Sequence, residues 1–421
     1  MRLSGPGVPR IACAILGRLP RARHAQFGSF YGDASENLDA GIALYFPAPH
    51  SYTGEHVLEL HGHGGPVVMD TLIARALSLG ARMARPGEFT ERAFLNGRLD
   101  LAQAEAVADL IEAGSEAAAR SALRSLSGAF SAEVRALLDG LTGLRAQIEA
   151  ALDFPEEELD LPAEAGSAAR VRDLRASLDR LLAGAQQGCL LKEGMRVVIA
   201  GAPNVGKSSL LNALARADRA IVSPIPGTTR DVIEQHIQLD GLPVWLIDTA
   251  GLRDSPDPLE SEGMRRARAA AERADYALVV VDDGEPARAG DVLGRLPADM
   301  PHVVVRNKID LTGREPGAAG GEIAISAATG AGLDDLRAHL KARMGYRPAG
   351  EGGFSARRRH LEALQEAGRR LDDAARHAGG RHAELLAEEL RRAQQALGTI
   401  TGEFTSDDLL GRIFSEFCIG K

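Results

Sequence analysis

Three regimes of hydrophobic patterning follow one another along the chain. Up to about residue 98, short apolar runs are broken by Gly and Pro. Ile42-Ala43-Leu44-Tyr45-Phe46 and His56-Val57-Leu58-Glu59-Leu60 predict strands, and residues 70–79 predict a helix, an α+β pattern. From about Leu99 to Leu191, apolar positions recur at three- and four-residue intervals, as at Leu137, Leu138, Leu141, Leu144 and Ile148. That is helical periodicity, punctuated by Pro155 and Pro162. From Met195 to about Met344, the β-rich runs 197–199, 244–247, 277–281 and 303–305 alternate with helical stretches, the mark of a mostly parallel sheet covered by helices. The Gly/Ala-rich stretch 313–321 reads as a surface loop, and helical patterning resumes after Phe354. The fold class is therefore multidomain, α/β combined with all-α. It comprises an N-terminal α+β domain (1–98), a discontinuous helical domain (99–193 and 345–421) and an inserted α/β domain (194–344).

Composition narrows the partners. Charged residues make up 25% of the 421 and apolar ones 45%, so a large core can form and two or three domains are expected. A net charge of −9 and only 4% aromatics argue against a free-standing, non-specific nucleic-acid binder, so RNA contact would use a local patch or a partner. The three cysteines, Cys13, Cys189 and Cys418, are far apart and lack metal-ligand spacing, which favours a reducing cytoplasm. No run approaches the ~20 apolar residues of a membrane span, and the start lacks a signal-peptide core.

Candidate chemistry is concentrated between residues 201 and 326. Gly201-Ala-Pro-Asn-Val-Gly206-Lys207-Ser208 follows an expected strand and opens an expected helix, the context in which G-x-x-x-x-G-K-[ST] wraps phosphates. Lys207 can reach the β- and γ-phosphates, and Ser208 can bind Mg²⁺. Asp248-Thr249-Ala250-Gly251 follows the next apolar run: the carboxylate suits the Mg²⁺ shell and the glycine N–H the γ-phosphate. Asn307-Lys308-Ile309-Asp310 places a carboxylate that can accept from guanine N1–H and its amino group, donors adenine lacks. Ser326-Ala327 would back the base with a main-chain N–H. In Pro226-Gly227-Thr228-Thr229-Arg230-Asp231, the place for a switch segment, Thr229 is the natural second Mg²⁺ ligand. Ras-type enzymes orient the attacking water with a Gln where this chain has Leu252. Glu260 is the candidate for that task, its alternative being a solvated surface carboxylate. Asn204 is compatible with a bound monovalent cation in place of an arginine finger, or with a structural role in the loop.

Beyond these motifs lie Ser51-Tyr-Thr-Gly-Glu55, His63-Gly-Gly65, the block from Arg85 to Gly97, Asp100-Leu-Ala-Gln-Ala-Glu105, the block from Gly402 to Phe414, and Cys418-Ile-Gly-Lys421. With them, nearly the whole chain resembles the MnmE (TrmE) family of tRNA-modification GTPases. The resemblance implies a Ras-like P-loop GTPase domain inserted into the helical domain, and an N-terminal domain that dimerises. It implies a flavin-dependent (FAD) partner, MnmG (GidA), in a heterotetramer that adds an aminomethyl or carboxymethylaminomethyl group to C5 of a tRNA wobble uridine. It also implies K⁺-dependent GTP hydrolysis. The carry-over gives GTP contacts at Asn204, Val205, Gly206, Lys207, Ser208, Ser209, Ser223, Thr228, Thr229, Asp248, Thr249, Ala250, Gly251, Asn307, Lys308, Asp310, Ser326 and Ala327. It gives K⁺ ligation by Asn204, Ser223, Ile225 and Thr228, Mg²⁺ ligation by Ser208 and Thr229, and water positioning by Glu260, with Lys207 and Thr229 also catalytic. A folate of the 5,10-methylenetetrahydrofolate or 5-formyltetrahydrofolate kind would meet Arg2, Glu59, Arg98 and Lys421.

Two departures from the family pattern bear on the folate site. The resemblance implies about twenty further residues ahead of Arg2, a strand and a Gly-rich turn: either the true start lies upstream of Met1, or that domain lacks its first strand. Arg98 stands where Lys is more usual and offers different donor geometry. Arg357-Arg-Arg-His360 offers a phosphate contact or a solvated helix start, and Cys418 a small packed thiol rather than covalent chemistry. The competing function is a GTPase switch in ribosome assembly without modifying activity.

Overall fold

The computed structural model describes residues 1–153, 164–217, 234–239, 242–248, 274–285, 289–294, 296–297, 300–344, 353–378, 382–403 and 413. The chain divides into two compact units: Met1–Ala108, Ser125–Leu178 and Ala363–Lys421 in one, Asp109–Arg124 and Asp179–Glu362 in the other.

The first unit opens with an antiparallel sheet of β1 (Arg2–Ser4), β2 (Gln26–Tyr31), β3 (Asn37–Phe46) and β4 (Val57–His61), in the order β1-β4-β3-β2. Helix α1 (Val8–Leu16) was hidden in the sequence by its neighbours Gly5-Pro6-Gly7 and by Pro9. Proline in the first turn has no N–H to lose there, and Gly17 at φ 72° ends the helix. Ile11 and Ile15 of α1 and Leu72 of α2 (Pro66–Ser78) pack on Phe30, Tyr45, Leu58 and Leu60 to form the core. Helix α3 (Glu88–Leu95) follows Gly87, whose φ of 69° turns the chain. After α4 (Leu101–Glu112) and α5 (Glu116–Leu126), α6 (Ala129–Asp153) buries Val134, Leu137, Leu141, Leu144 and Ile148 on one face. That stripe packs on α13 (Ala383–Thr401), which buries Leu386, Leu390, Leu397 and Ile400. Arg145 and Thr142 of α6 both bond Gln394 across the pair.

The second unit carries a seven-stranded sheet in the order β10-β11-β9-β8-β5-β7-β6. Its strands are β5 (Met195–Gly201), β6 (Glu234–Leu239), β7 (Leu242–Asp248), β8 (Tyr276–Asp282), β9 (His302–Asn307), β10 (Gly317–Ala319) and β11 (Glu322–Ala324). The five central strands run parallel, and β6 and β10 are antiparallel edges. Val197, Ile199, Leu278 and Val280 face one core, Val198, Ala200, Ala277 and Val279 the other. Burial on both faces explains why these strands read as unbroken apolar runs. Helices α7 (Glu164–Glu193), α8 (Lys207–Ala217), α9 (Ala289–Leu293), α10 (Ile309–Thr312), α11 (Leu333–Arg343) and α12 (Arg358–His377) complete the described elements. The expected loop at 313–321 is corrected: it contains β10, paired with β11 through Gly320-Gly321 at φ 60° and 84°. A Gly-Gly pair between short runs is a two-residue hairpin signal, because both turn residues need positive φ.

The fold class is thus an N-terminal α+β domain, a helical domain and a P-loop-type α/β domain. Among the described residues, no helix is long and apolar enough to cross a membrane.

Candidate nucleotide-binding site

The central strands end together: Gly201 pairs with Val280, Ile199 with Asp248, and Asp282 with Asn307. In such sheets, ligands bind beyond the carboxyl ends of the strands. The loop from Gly201 to Gly206 occupies that edge and leads into α8. Two residues in it have left-handed backbone, Asn204 at φ 62° and Gly206 at φ 92°. A Cβ on Gly206 would overlap the side-chain nitrogen of Asn307, and one on Gly201 would overlap the Val280 carbonyl, so neither position has room for a side chain. The Lys207 ammonium donates to the Gly201 and Ala202 carbonyls at 2.9 and 2.8 Å and braces the loop from inside. Ser208 and Ser209 are exposed on the first turn of α8, and Val205 is buried beneath the loop.

The buried Asn307 joins the loop to the segment after β11. Its Nδ2 donates to the Val205 carbonyl at 2.8 Å, and its Oδ1 accepts the Ala327 N–H at 2.9 Å. Ser326 donates its hydroxyl to Asp310 Oδ1 at 2.6 Å and accepts the Thr329 N–H at 3.2 Å, which fixes the carboxylate on α10. The Ser326 N–H is spent on the Ala331 carbonyl and that of Ala327 on Asn307, because the tight turn after β11 satisfies its own donors.

Lys308 has φ 67°, and its ammonium donates to Asp282 Oδ2 at 2.8 Å. That bond holds the Asp282 carboxyl below the usual carboxylate range, with help from the Gly284 N–H. Sequence reasoning passed over Asp282, although a carboxylate ending an apolar strand was the very signal used for Asp248. The side chain of Asp248, and all of Ser223, Ile225, Thr228, Thr229, Thr249, Ala250, Gly251, Glu260 and Lys421, lie outside what the structure describes, as do Leu252 and Cys418.

In the N-terminal domain, Arg2 donates to Glu59 Oε1 at 2.7 Å, and its guanidinium lies 5.8 and 5.9 Å from the Tyr52 and Phe89 ring centres. Both charged residues line a cavity of about 740 Å³ whose walls include Leu3, Val8, Ile73 and Phe89. Arg98 is exposed beside Gly54. The cavity floor is set by Glu88, which is buried, bonded by Arg82 and Arg92, and accepts the Arg85 N–H at 2.8 Å. Arg92 continues to Glu55 at 2.8 Å, and Glu55 to the Ser4 hydroxyl at 2.8 Å. Arg357 is withdrawn from the phosphate-contact expectation: its guanidinium is largely buried on Asp109 Oδ1 at 2.8 Å.

The strand, phosphate loop and helix, with Asn307, Asp310 and Ser326 at the neighbouring strand ends, define the class, a P-loop GTPase fold joined to helical and α+β domains. A model described as "GTP-binding protein TrmE N-terminus" matches residues 1–98, and one described as "MnmE helical domain" matches residues 101–418. Two curated relatives carry the name tRNA modification GTPase MnmE. That of Chromohalobacter salexigens is 55% identical over 432 residues, covering 100% of this chain and 94% of its own length. That of Thiobacillus denitrificans is 55% identical over 423 residues, with the same coverage. The chain belongs to the MnmE (TrmE) family. Among solved structures, it is similar to Aquifex aeolicus Era bound to GDP·AlF4⁻, 28% identical over 43% of this chain and 66% of that one, with a TM-score of 0.29, a likeness too loose to bear on function.

Proposed function

We propose that this chain hydrolyses GTP in the service of tRNA modification, as the name of its relatives indicates, and does so in the cytoplasm. The observation that carries the reading is the pair of hydrogen bonds made by the Asn307 side chain, one to the phosphate loop and the other to the turn that backs Asp310. A carboxylate held there by Ser326 accepts two donors from guanine, while the loop N–H groups and the α8 N-terminus receive the phosphates. Lys207, which braces the loop through the Gly201 and Ala202 carbonyls, would exchange those bonds for β- and γ-phosphate oxygens.

Ser208, exposed on the first turn of α8, fits one Mg²⁺ ligand, with Thr229 the second. Asn204, with its left-handed backbone at the loop apex, fits a K⁺ ligand beside Ser223, Ile225 and Thr228. When bound, these cations supply positive charge where negative charge develops on the transferring phosphoryl group. Glu260 would orient the attacking water, and its proton would pass to the γ-phosphate oxygens or solvent.

In the N-terminal domain, Arg2 and Glu59 fit a ligand with both hydrogen-bonding edges and acidic tail, and the apolar cavity walls fit a ring system. A folate there, completed by Arg98 and Lys421, would supply a one-carbon unit. The full reading is K⁺-dependent hydrolysis by a homodimer that works with the FAD-dependent MnmG on C5 of the wobble uridine.

Nucleoside analysis of tRNA from cells deleted for the gene tests it. Loss of C5-modified wobble uridine, restored by the intact gene but not by Lys207→Ala, is expected. Intact modification would favour a switch in ribosome assembly instead. GTP turnover by the purified chain should be far faster in K⁺ than in Na⁺, and equal rates would remove the cation role of Asn204.

A further inference from the structure

The chain turns sharply at both ends of a short bridge between β8 and β9. Lys308 leaves β9 with left-handed backbone, and its ammonium meets Asp282 Oδ2 at 2.8 Å. Asp282 is itself pinned, since its Oδ1 accepts the Gly284 N–H at 3.0 Å and fixes the turn after β8. Both side chains are about two-thirds buried, at 32% and 29% exposure. With Asn204 and Val205 of the phosphate loop, they line one small pocket of about 210 Å³. In sequence, Lys308 stands between Asn307, which holds the loop, and Asp310, which Ser326 aims.

We propose that Asp282 is a positioning residue for the nucleotide. It anchors the Lys308 ammonium so that the lysine stem lies in advance along the Asn204 side of the loop, as the apolar floor on which the base and ribose settle. The proposal deepens the guanine-nucleotide reading and rests on it. A lysine stem is a mobile, four-carbon chain, and an anchor at its tip removes that motion before binding rather than during it. The anchor touches neither the γ-phosphate nor the attacking water. Its loss therefore weakens GTP and GDP alike and leaves the chemical step intact.

The test titrates fluorescently labelled GDP and GTP into full-length wild type, Asp282→Ala, Asp282→Asn, Lys308→Ala and the double alanine variant. Asp282→Ala should weaken both nucleotides by one common factor of about five- to tenfold, and raise KM for GTP by the same factor while kcat holds. Adding Asp282→Ala to Lys308→Ala should cost nothing further. Asp282→Asn, which keeps an acceptor for the Gly284 N–H, should fall between wild type and alanine and guards against a folding defect. Unchanged affinity, a loss confined to GTP, a fall in kcat at constant KM, or additive losses in the double variant would each overturn the proposal. Wild type that binds neither nucleotide would sink the guanine reading and this proposal with it, a result distinct from any of these.

Discussion

Glu88 and Asp109 are both buried carboxylates met by two cations, yet they recruit them in opposite ways. Glu88 takes Arg82, Arg92 and the Arg85 N–H from within six residues of itself. Asp109 takes Lys192 at 2.5 Å, Ser355 at 2.6 Å and Arg357 at 2.8 Å, which lie 83, 246 and 248 residues away. The first network is local, joining the start of α3 to the segment just before it, and it lines the cavity. The second needs the chain to return, because Lys192 precedes β5 and Ser355 follows α11, on either side of the seven-stranded sheet in sequence. One carboxylate thus ties together three segments, distant in sequence, of a single compact unit. A local lattice stabilises a site, whereas a long-range one stabilises the unit as a whole.

The largest expected effect separates the two. Asp109→Ala removes the buried carboxylate on which two half-buried cations and the Ser355 hydroxyl converge, and should destabilise its unit by about 3 kcal/mol. Trp245, the single tryptophan, reports this directly, since its indole N–H bonds the Glu193 carbonyl beside Lys192 at 3.3 Å. Urea titration followed by its fluorescence should show a much lower midpoint, and an unmoved midpoint would break the comparison. Next, Glu88→Gln should cost about 2 kcal/mol, visible in the far-UV circular-dichroism transition but not in the Trp245 signal. The Arg82 bond, aided by the Arg85 N–H and Arg92 and opposed by burial, pulls the Glu88 carboxyl from an ordinary 4.5 to about 2. A carboxylate depressed in the folded state contributes fully above its unfolded value, so this stability is complete above pH 4.5 and lost as pH falls toward 2. The wild type should lose stability across that window, and Glu88→Gln should be flatter there. The smallest effect belongs to Glu388, also held to about 2, by Arg391 and then Arg392 on α13. That pair is 35% and 43% exposed, so solvent screens it and Glu388→Ala should move neither midpoint resolvably. A clear shift would mean that exposure does not separate these carboxylates.

Much of this architecture was legible because burial on both faces writes itself as unbroken apolar runs, as at 197–199 and 277–281. The phosphate loop was legible for a different reason, since only glycine fits against Val280 and Asn307. What escaped reading was short or polar-faced. Strand β6 alternates Ile237 and Leu239 with polar residues, α1 is framed by glycine and proline, and β10 is three residues long. Side-chain partnerships escaped too: Arg357 looked like part of a basic patch and is a buried counterion. No local pattern announces that its partner is Asp109, 248 residues earlier in the chain.

The amide of Asn307 carries one further implication. It grips the phosphate loop with its nitrogen and the base-side turn with its oxygen, so strain at either grip is felt at the other. Guanosine and a bare polyphosphate chain, offered as separate fragments, should therefore assist one another's binding, and the intact nucleotide should gain from a cooperativity that neither half reveals alone.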